Sequence, residues 1–340
     1  MILDGMTRRE CMGLLFKGAV AAGTWPRVAP VLAAIQKTNI RDLLPPEKIV
    51  TLPASGTLYV ANDFHANHTD FKAFFKKTRA FERIREGADV RVVLNGDLVD
   101  YKAGHSEAEG DARIMDDLLR MRAELAETGR ADRLVVLAGN HEEAVLSLYD
   151  TLVHKRDFVM PRADFNFYIR HQDFTRRLQF EKDNRKALSK SNGLSLLGYV
   201  SQFNYIDRIT RQAADYLRDL PYLAVCANGI IITHASYPRI DSTNRVFDTL
   251  WERRGSGSNF LHSVDGELLV NGHTAPHLFG SKLEGQYDPV RGVGTVARDR
   301  VIIAPSHGAR DTGTFLAVDL SKRYVTQRDL GLGVELIPLR

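Results

Sequence analysis

Apolar residues along this chain fall into two rhythms. Thr57–Ala61, Val90–Leu94 and Leu134–Ala138 are short, almost uninterrupted apolar runs. Runs of that length predict strands, and those apolar on both faces predict strands buried inside a sheet. Between the first two, Phe71, Phe74, Phe75, Phe81 and Ile84 recur at helical spacing, which predicts a helix over about 69–85. Ile114, Met115, Leu118, Leu119 and Leu125 predict another near 111–128. Such strand–helix–strand alternation predicts an α/β sheet. After Gly229 the rhythm changes. Ile230–Thr233, Leu268–Val270, Val301–Ala304 and Thr314–Val318 read as strands with little helix between them. They predict a second, partly antiparallel sheet packed on the first.

Three other stretches have their own character. Residues 34–56, punctuated by Pro45-Pro46 and Pro53, read as a linker. Residues 142–220 read as a helical insert or cap. Its middle is basic (Arg170, Arg176, Arg177, Lys182, Arg185, Lys186, Lys190), read as a solvated face or, alternatively, as a surface that attracts anionic substrates. Gly292–Ala297 matches G-x-G-x-x-A but lacks the preceding strand and following helix of a dinucleotide fingerprint, so it reads as a loop.

Polar tips cluster where the apolar runs stop. Asp63-Phe64-His65, Gly96-Asp97-Leu98-Val99-Asp100, Gly139-Asn140-His141-Glu142, Thr233-His234-Ala235 and Gly272-His273-Thr274 follow one another in that order. Each alone is a common turn or a core histidine. Together they supply carboxylates, an amide oxygen and several imidazoles, the donor set of a hard or borderline divalent cation, in sufficient number for two ions. In α/β sheets ligands bind outside the carboxyl ends of the strands, where these tips are expected to lie. Asp63 and His65 are two apart, and strand alternation would turn both side chains to one side.

Composition narrows the class. At 44% hydrophobic and 26% charged, the 340 residues are ordinary for a globular protein. A net charge of +4 without a dense Lys/Arg run gives no reason to expect a nucleic-acid polymer as partner. The two cysteines, Cys11 and Cys226, predict no disulfide framework, and neither stands in an H-C-x5-R loop, so no cysteine nucleophile is indicated. Arg8-Arg9 precede a mild apolar stretch, Gly13–Trp25, and then small residues ending at Ala33. Residues 1–33 are therefore expected to be a twin-arginine export signal, with an exported, periplasmic location. A cytoplasmic amphipathic helix is the alternative. No stretch is long and apolar enough to span a bilayer.

The motif order resembles the calcineurin-like metallophosphoesterase superfamily, and within it the PPP-type serine/threonine phosphatases and their bacterial relatives. Tyr216–Pro221 leading into Gly229–His234, the Leu250-Trp251 pair, Ala304–His307 and Gly313–Asp319 are similar to further stretches of that family. The resemblance implies two mixed β-sheets packed as a sandwich and flanked by helices, in a single catalytic domain over 57–330. It implies two divalent or trivalent ions (Mn, Fe or Zn). Asp63 and His65 would hold the first, Asp97 would bridge both, and Asn140, His234 and His273 would complete the second. A water between them would attack phosphorus directly. His141 would be the general acid and Asp100 its orienting carboxylate. The substrate would be a phosphorylated protein or a small phosphate ester. A nucleotide or dinucleoside polyphosphate hydrolase and an inactive metal-binding relative are the alternatives.

The chain departs from the PPP pattern in places. Tyr101 replaces an Arg after the second Asp of GDxxD, and no Arg follows Glu142 closely. Arg253 and Arg254 are the candidates for the remaining phosphate arginine. His307 stands where the family has Tyr, and joins them as a candidate phosphate contact. His277, four residues past His273, is a candidate outer group.

Overall fold

The computed structural model describes residues 38–100, 107, 109–154, 210–239, 242–252, 264–274, 286–288, 293–296, 301–303, 314–322 and 334–338. The stretch expected to be an export signal, residues 155–209 of the stretch expected to be a helical insert, Arg253, Arg254, His277 and His307 lie outside these residues. The described elements belong to one compact unit, Asn39–Arg340.

The first apolar runs form β2 (Thr57–Ala61), β3 (Val90–Asn95) and β4 (Leu134–Leu137), which pair in parallel. With β11 (Thr314–Asp319) and β12 (Val334–Pro338) on the other side they make a five-stranded sheet, β12-β11-β2-β3-β4. A seven-stranded sheet runs β1-β5-β6-β7-β10-β9-β8. Its strands are β1 (Ile49–Leu52), β5 (Leu223–Cys226), β6 (Ile230–Thr233), β7 (Leu268–Asn271), β8 (Gln286–Asp288), β9 (Val293–Val296) and β10 (Val301–Ile303). Parallel and antiparallel pairs are mixed in both sheets, as expected.

Alternation along each strand builds the layers. Leu58, Val60, Val93, Val135 and Leu137 face Ala224, Ile230, Ile232, Leu268 and Val270 across the space between the sheets. Each such aliphatic side chain contributes about 1.5–3 kcal/mol when fully buried. Cys226 lies in this layer, and burial pushes its thiol up to about 12, so it stays protonated and inert. The opposite faces of β3 and β4 (Val92, Leu94, Leu134, Val136) pack on helices α1 (His68–Thr78), α2 (Ala80–Arg85) and α3 (Gly110–Glu127). On the far side of the seven-stranded sheet, Leu223, Val225, Ile231 and Leu269 pack against Ile40, Leu43, Leu44 and Tyr237. Three further helices are α4 (Asn140–His154), α5 (Arg211–Arg218) and α6 (Arg245–Trp251).

The structure differs from the sequence expectations at four points. Thr314–Val318, expected in the second sheet, is β11 of the first, where it pairs antiparallel with the edge of β2 that β3 leaves open. Ile49–Leu52, inside the stretch expected as a linker, is a strand that pairs in parallel with β5, and Ile40 before it is fully buried. The prolines there initiate a 3₁₀ turn at Pro46–Lys48, where Pro needs no N–H partner. The helix expected over 69–85 breaks at Arg79, whose left-handed backbone (φ 49°) caps α1 and starts α2. Gly292–Ala297, expected as a loop, contains β9, held between β8 and β10 by antiparallel pairing on both edges.

Candidate metal centre

Each polar tip leaves the carboxyl end of a strand. Asp63 and His65 follow β2, Asp97 follows β3, Asn140 follows β4, His234 follows β6 and His273 follows β7. Because β2, β3 and β4 are parallel, as are β6 and β7, these ends collect at one edge of each sheet. Beyond the strands the loops stay zipped. The N–H groups of Asp63, His65 and Ala66 donate to the carbonyls of Gly96, Asp97 and Leu98, and Gly272 N–H donates to His234 O.

The backbone at the tips is not extended. Asp63 (φ 56°), His65 (φ 43°), Asp97 (φ 54°), Asp100 (φ 72°) and His273 (φ 62°) all sit in the left-handed region. Strand alternation therefore does not turn Asp63 and His65 to one side; a kinked loop does. Non-glycine residues there each cost on the order of 1–3 kcal/mol and persist only where the surroundings hold them. Gly272 shows how tight the packing is, because a Cβ on it would run into the Asp63 carboxylate and the Asn62 amide.

The donor atoms converge in two groups that share Asp97. On one side His65 Nε2 and His141 Nε2 lie 3.5 and 3.7 Å from Asp97 Oδ2. Asp63 Oδ1 is 3.7 Å from His65 Nε2. On the other, His234 Nε2 lies 3.3 Å from Asp97 Oδ1 and 3.0 Å from Asn140 Oδ1, which His273 Nδ1 approaches to 2.8 Å. His65 with Asp97 and His141, and Asp97 with His234 and His273, are each close enough to hold one ion. All of these side chains are buried.

The electrostatics call for cations. His234 Nδ1 donates to the Asn95 carbonyl at 2.9 Å, which leaves Nε2 facing a carboxylate oxygen with only a proton or a metal to put between them. Burial disfavours a charged His234, but Asp97 first and then Asp63 overcome it and raise its pKa to about 9. Burial likewise opposes ionisation of Asp97, yet His234, His141 and His65 hold its carboxyl well below the usual range. A site that draws a proton onto a buried imidazole in this way suits a metal in the proton's place. The donors named here are oxygen and nitrogen, with no sulfur among them, the set of a hard or borderline cation.

His141 and Asp100 form a separate contact, His141 Nδ1 to Asp100 Oδ2 at 2.6 Å, with both side chains 3% exposed. Two residues that carried no role in the sequence reading also serve the site. Asn95 fixes His234 twice: its carbonyl accepts from Nδ1, and its side-chain amide donates to Thr233 O at 2.8 Å. Glu142, 1% exposed, accepts from four backbone N–H groups, those of Asp97, Gly139, Leu98 and Val99. A polar residue ending an apolar strand and an acid in a buried first helical turn were the only signals for them.

Residues 56–277, well over half of the chain, match the model of the calcineurin-like phosphoesterase family. Among curated proteins none matches the sequence. Solved structures to which the chain is similar include a protein described as a diadenosine tetraphosphatase, 16% identical over 86% of this chain and 97% of its own, with a TM-score of 0.42. A serine/threonine phosphatase from Saccharomyces cerevisiae similar to human phosphatase PP5 is 12% identical over 98% and 96%, with a TM-score of 0.43. A cold-active protein-tyrosine phosphatase from Shewanella is 12% identical over 82% and 81%, also at 0.43. The motif order, the two-sheet sandwich, the clustered histidines and aspartates and the match over 56–277 agree: the chain belongs to the calcineurin-like phosphoesterase family of metal-dependent hydrolases.

Proposed function

We propose that the protein hydrolyses phosphate monoesters by direct attack of water, without a covalent enzyme intermediate, in the manner of a serine/threonine phosphatase. The observation that carries this reading is the Asp97 carboxylate, which turns one oxygen to each donor group beside a buried His141–Asp100 pair. Asp63, His65 and Asp97 would hold one ion, and Asp97, Asn140, His234 and His273 the other. Two such ions, when bound, polarise the phosphoryl oxygens and lower the pKa of water toward neutrality. Asp97 can serve both because its two oxygens diverge. Asn140 contributes an oxygen without adding negative charge, so the acidity of the ions is kept.

The chain's own proton donor would be His141. Asp100 binds Nδ1, which orients the ring and leaves Nε2 as the nitrogen facing the site. A proton placed there can pass to the leaving alkoxide as the ester bond breaks. Arg253, Arg254 and His307 remain the candidates for gripping the phosphate.

The test is turnover by the purified protein loaded in turn with Mn, Fe or Zn. The substrates are a phosphoserine peptide, a simple aryl phosphate, a diester and a dinucleoside polyphosphate. Monoester hydrolysis with solvent oxygen appearing in the released phosphate is expected. Hydrolysis of the polyphosphate alone would replace this reading with that of a nucleotide hydrolase, and no turnover with any metal would leave an inactive relative.

A further inference from the structure

We propose that Glu142 is a positioning residue of the metal centre: its carboxylate ties the Asp97–Val99 loop to Gly139 and holds Asp97 in the backbone conformation that divides its oxygens between two ions. This rests on the dinuclear reading above. Oε2 accepts from Asp97 N–H at 2.7 Å and Gly139 N–H at 2.8 Å, while Oε1 accepts from Leu98 N–H at 2.7 Å and Val99 N–H at 3.2 Å. Four donors occupy the acceptor sites of both oxygens. With both oxygens occupied in this way, Glu142 has no lone pair left to serve as a ligand itself.

The loop it grips needs holding. Asp97 has a left-handed backbone (φ 54°), as does Asp100 (φ 72°), and an isolated chain would leave that conformation. The neighbouring ties do not replace Glu142. His141 N–H reaches the Asp97 side chain at 3.1 Å, but only Glu142 among the described residues bonds the N–H of Asp97 and Gly139 together. Gly139 makes the approach possible, since a Cβ there would meet Asp97 N at 2.5 Å and Glu142 Oε2 at 2.8 Å.

Glu142→Gln is the discriminating change. The amide keeps one oxygen for two N–H groups and turns an NH₂ toward the other two donors. Glu142→Asp falls a methylene short of one loop. Because Asp97 serves both ions, each substitution should weaken both together. Outer-sphere partners of metal ligands typically account for about 10–100-fold in affinity, and that loss is expected in titrations of the metal-free protein with Mn alone.

A change that only loosens the fold must be told apart. Leu118→Ala, in the helix layer away from the strand ends, serves as the comparison. Lost Mn affinity in Glu142→Gln, with affinity kept in Leu118→Ala at equal or larger loss of Tm, supports the assignment. Equal losses at matched Tm overturn it, as does unchanged affinity in Glu142→Gln. Should Glu142→Gln fail to fold, amide exchange in the wild type decides. The N–H groups of Asp97, Leu98 and Gly139 should exchange as slowly as those of β3 even without metal, and fast exchange there overturns the inference. Wild-type protein that takes up fewer than two ions would instead sink the dinuclear reading, and this claim with it.

Discussion

The His141–Asp100 pair offers the sharpest test of the chemistry. Both side chains are 3% exposed and the Nδ1–Oδ2 contact is 2.6 Å, so solvent does not weaken the contact. A positioned general acid contributes about 10²–10⁴ in rate, or about 2.7–5.4 kcal/mol of barrier. His141→Asn should lose that amount on a serine or alkyl phosphate, whose leaving alkoxide needs a proton. On nitrophenyl phosphate, whose leaving group is stable as an anion, the loss should be much smaller. Asp100→Asn keeps an acceptor but removes the charge. A hydrogen bond to a charged group is worth about 1.5–3 kcal/mol, so a loss of roughly ten- to hundredfold is the ceiling. Rates on both substrates would be measured at saturating metal, with metal content determined alongside. That second measurement matters because His141 Nε2 lies 3.7 Å from Asp97 Oδ2, in the same group as His65. Equal losses on the two substrates would refute the acid assignment. A fall in metal content would make His141 a ligand instead.

Other expectations follow from the same geometry. Asp97→Asn should lower the metal content below two ions per chain by elemental analysis after loading, since one of the shared donors becomes a neutral NH₂. Gly272→Ala drives a methyl group into Asp63 and Asn62, and should cut activity on the order of a hundredfold, the usual consequence of an ångström-scale misplacement; a near-wild-type rate would mean the loop adjusts freely. In the metal-free protein His234 keeps a proton up to about pH 9, which an entering ion must expel. Metal affinity should therefore weaken roughly tenfold for each unit the pH is lowered below that value, measured by competition with a chelator. Replacing Arg8 and Arg9 with Lys should trap the protein in the cytoplasm if residues 1–33 direct twin-arginine export; a mature N-terminus that still includes residues before Trp25 would count against that signal.

What the chain determines locally is plain in its own pattern. The apolar runs at 57–61, 90–94, 134–138 and 230–233 became strands almost residue for residue, because continuous burial on both faces admits little else. The donor types at their ends point to a metal centre, because two carboxylates, an amide and three imidazoles at strand ends have few other uses together. Strand β1 was hidden, because four residues between prolines become a strand only when β5 offers them hydrogen bonds. The left-handed turns at Asp63, His65 and Asp97 were equally hidden, since nothing in a residue's identity declares a strained φ that distant contacts enforce. The work of Glu142 and Asn95 depends on loops 40 or more residues away in the chain. Ligand chemistry is carried by residue type and survives in the sequence. The positioning of those ligands comes from hydrogen bonds between segments far apart in the chain, and only the folded structure brings those segments together.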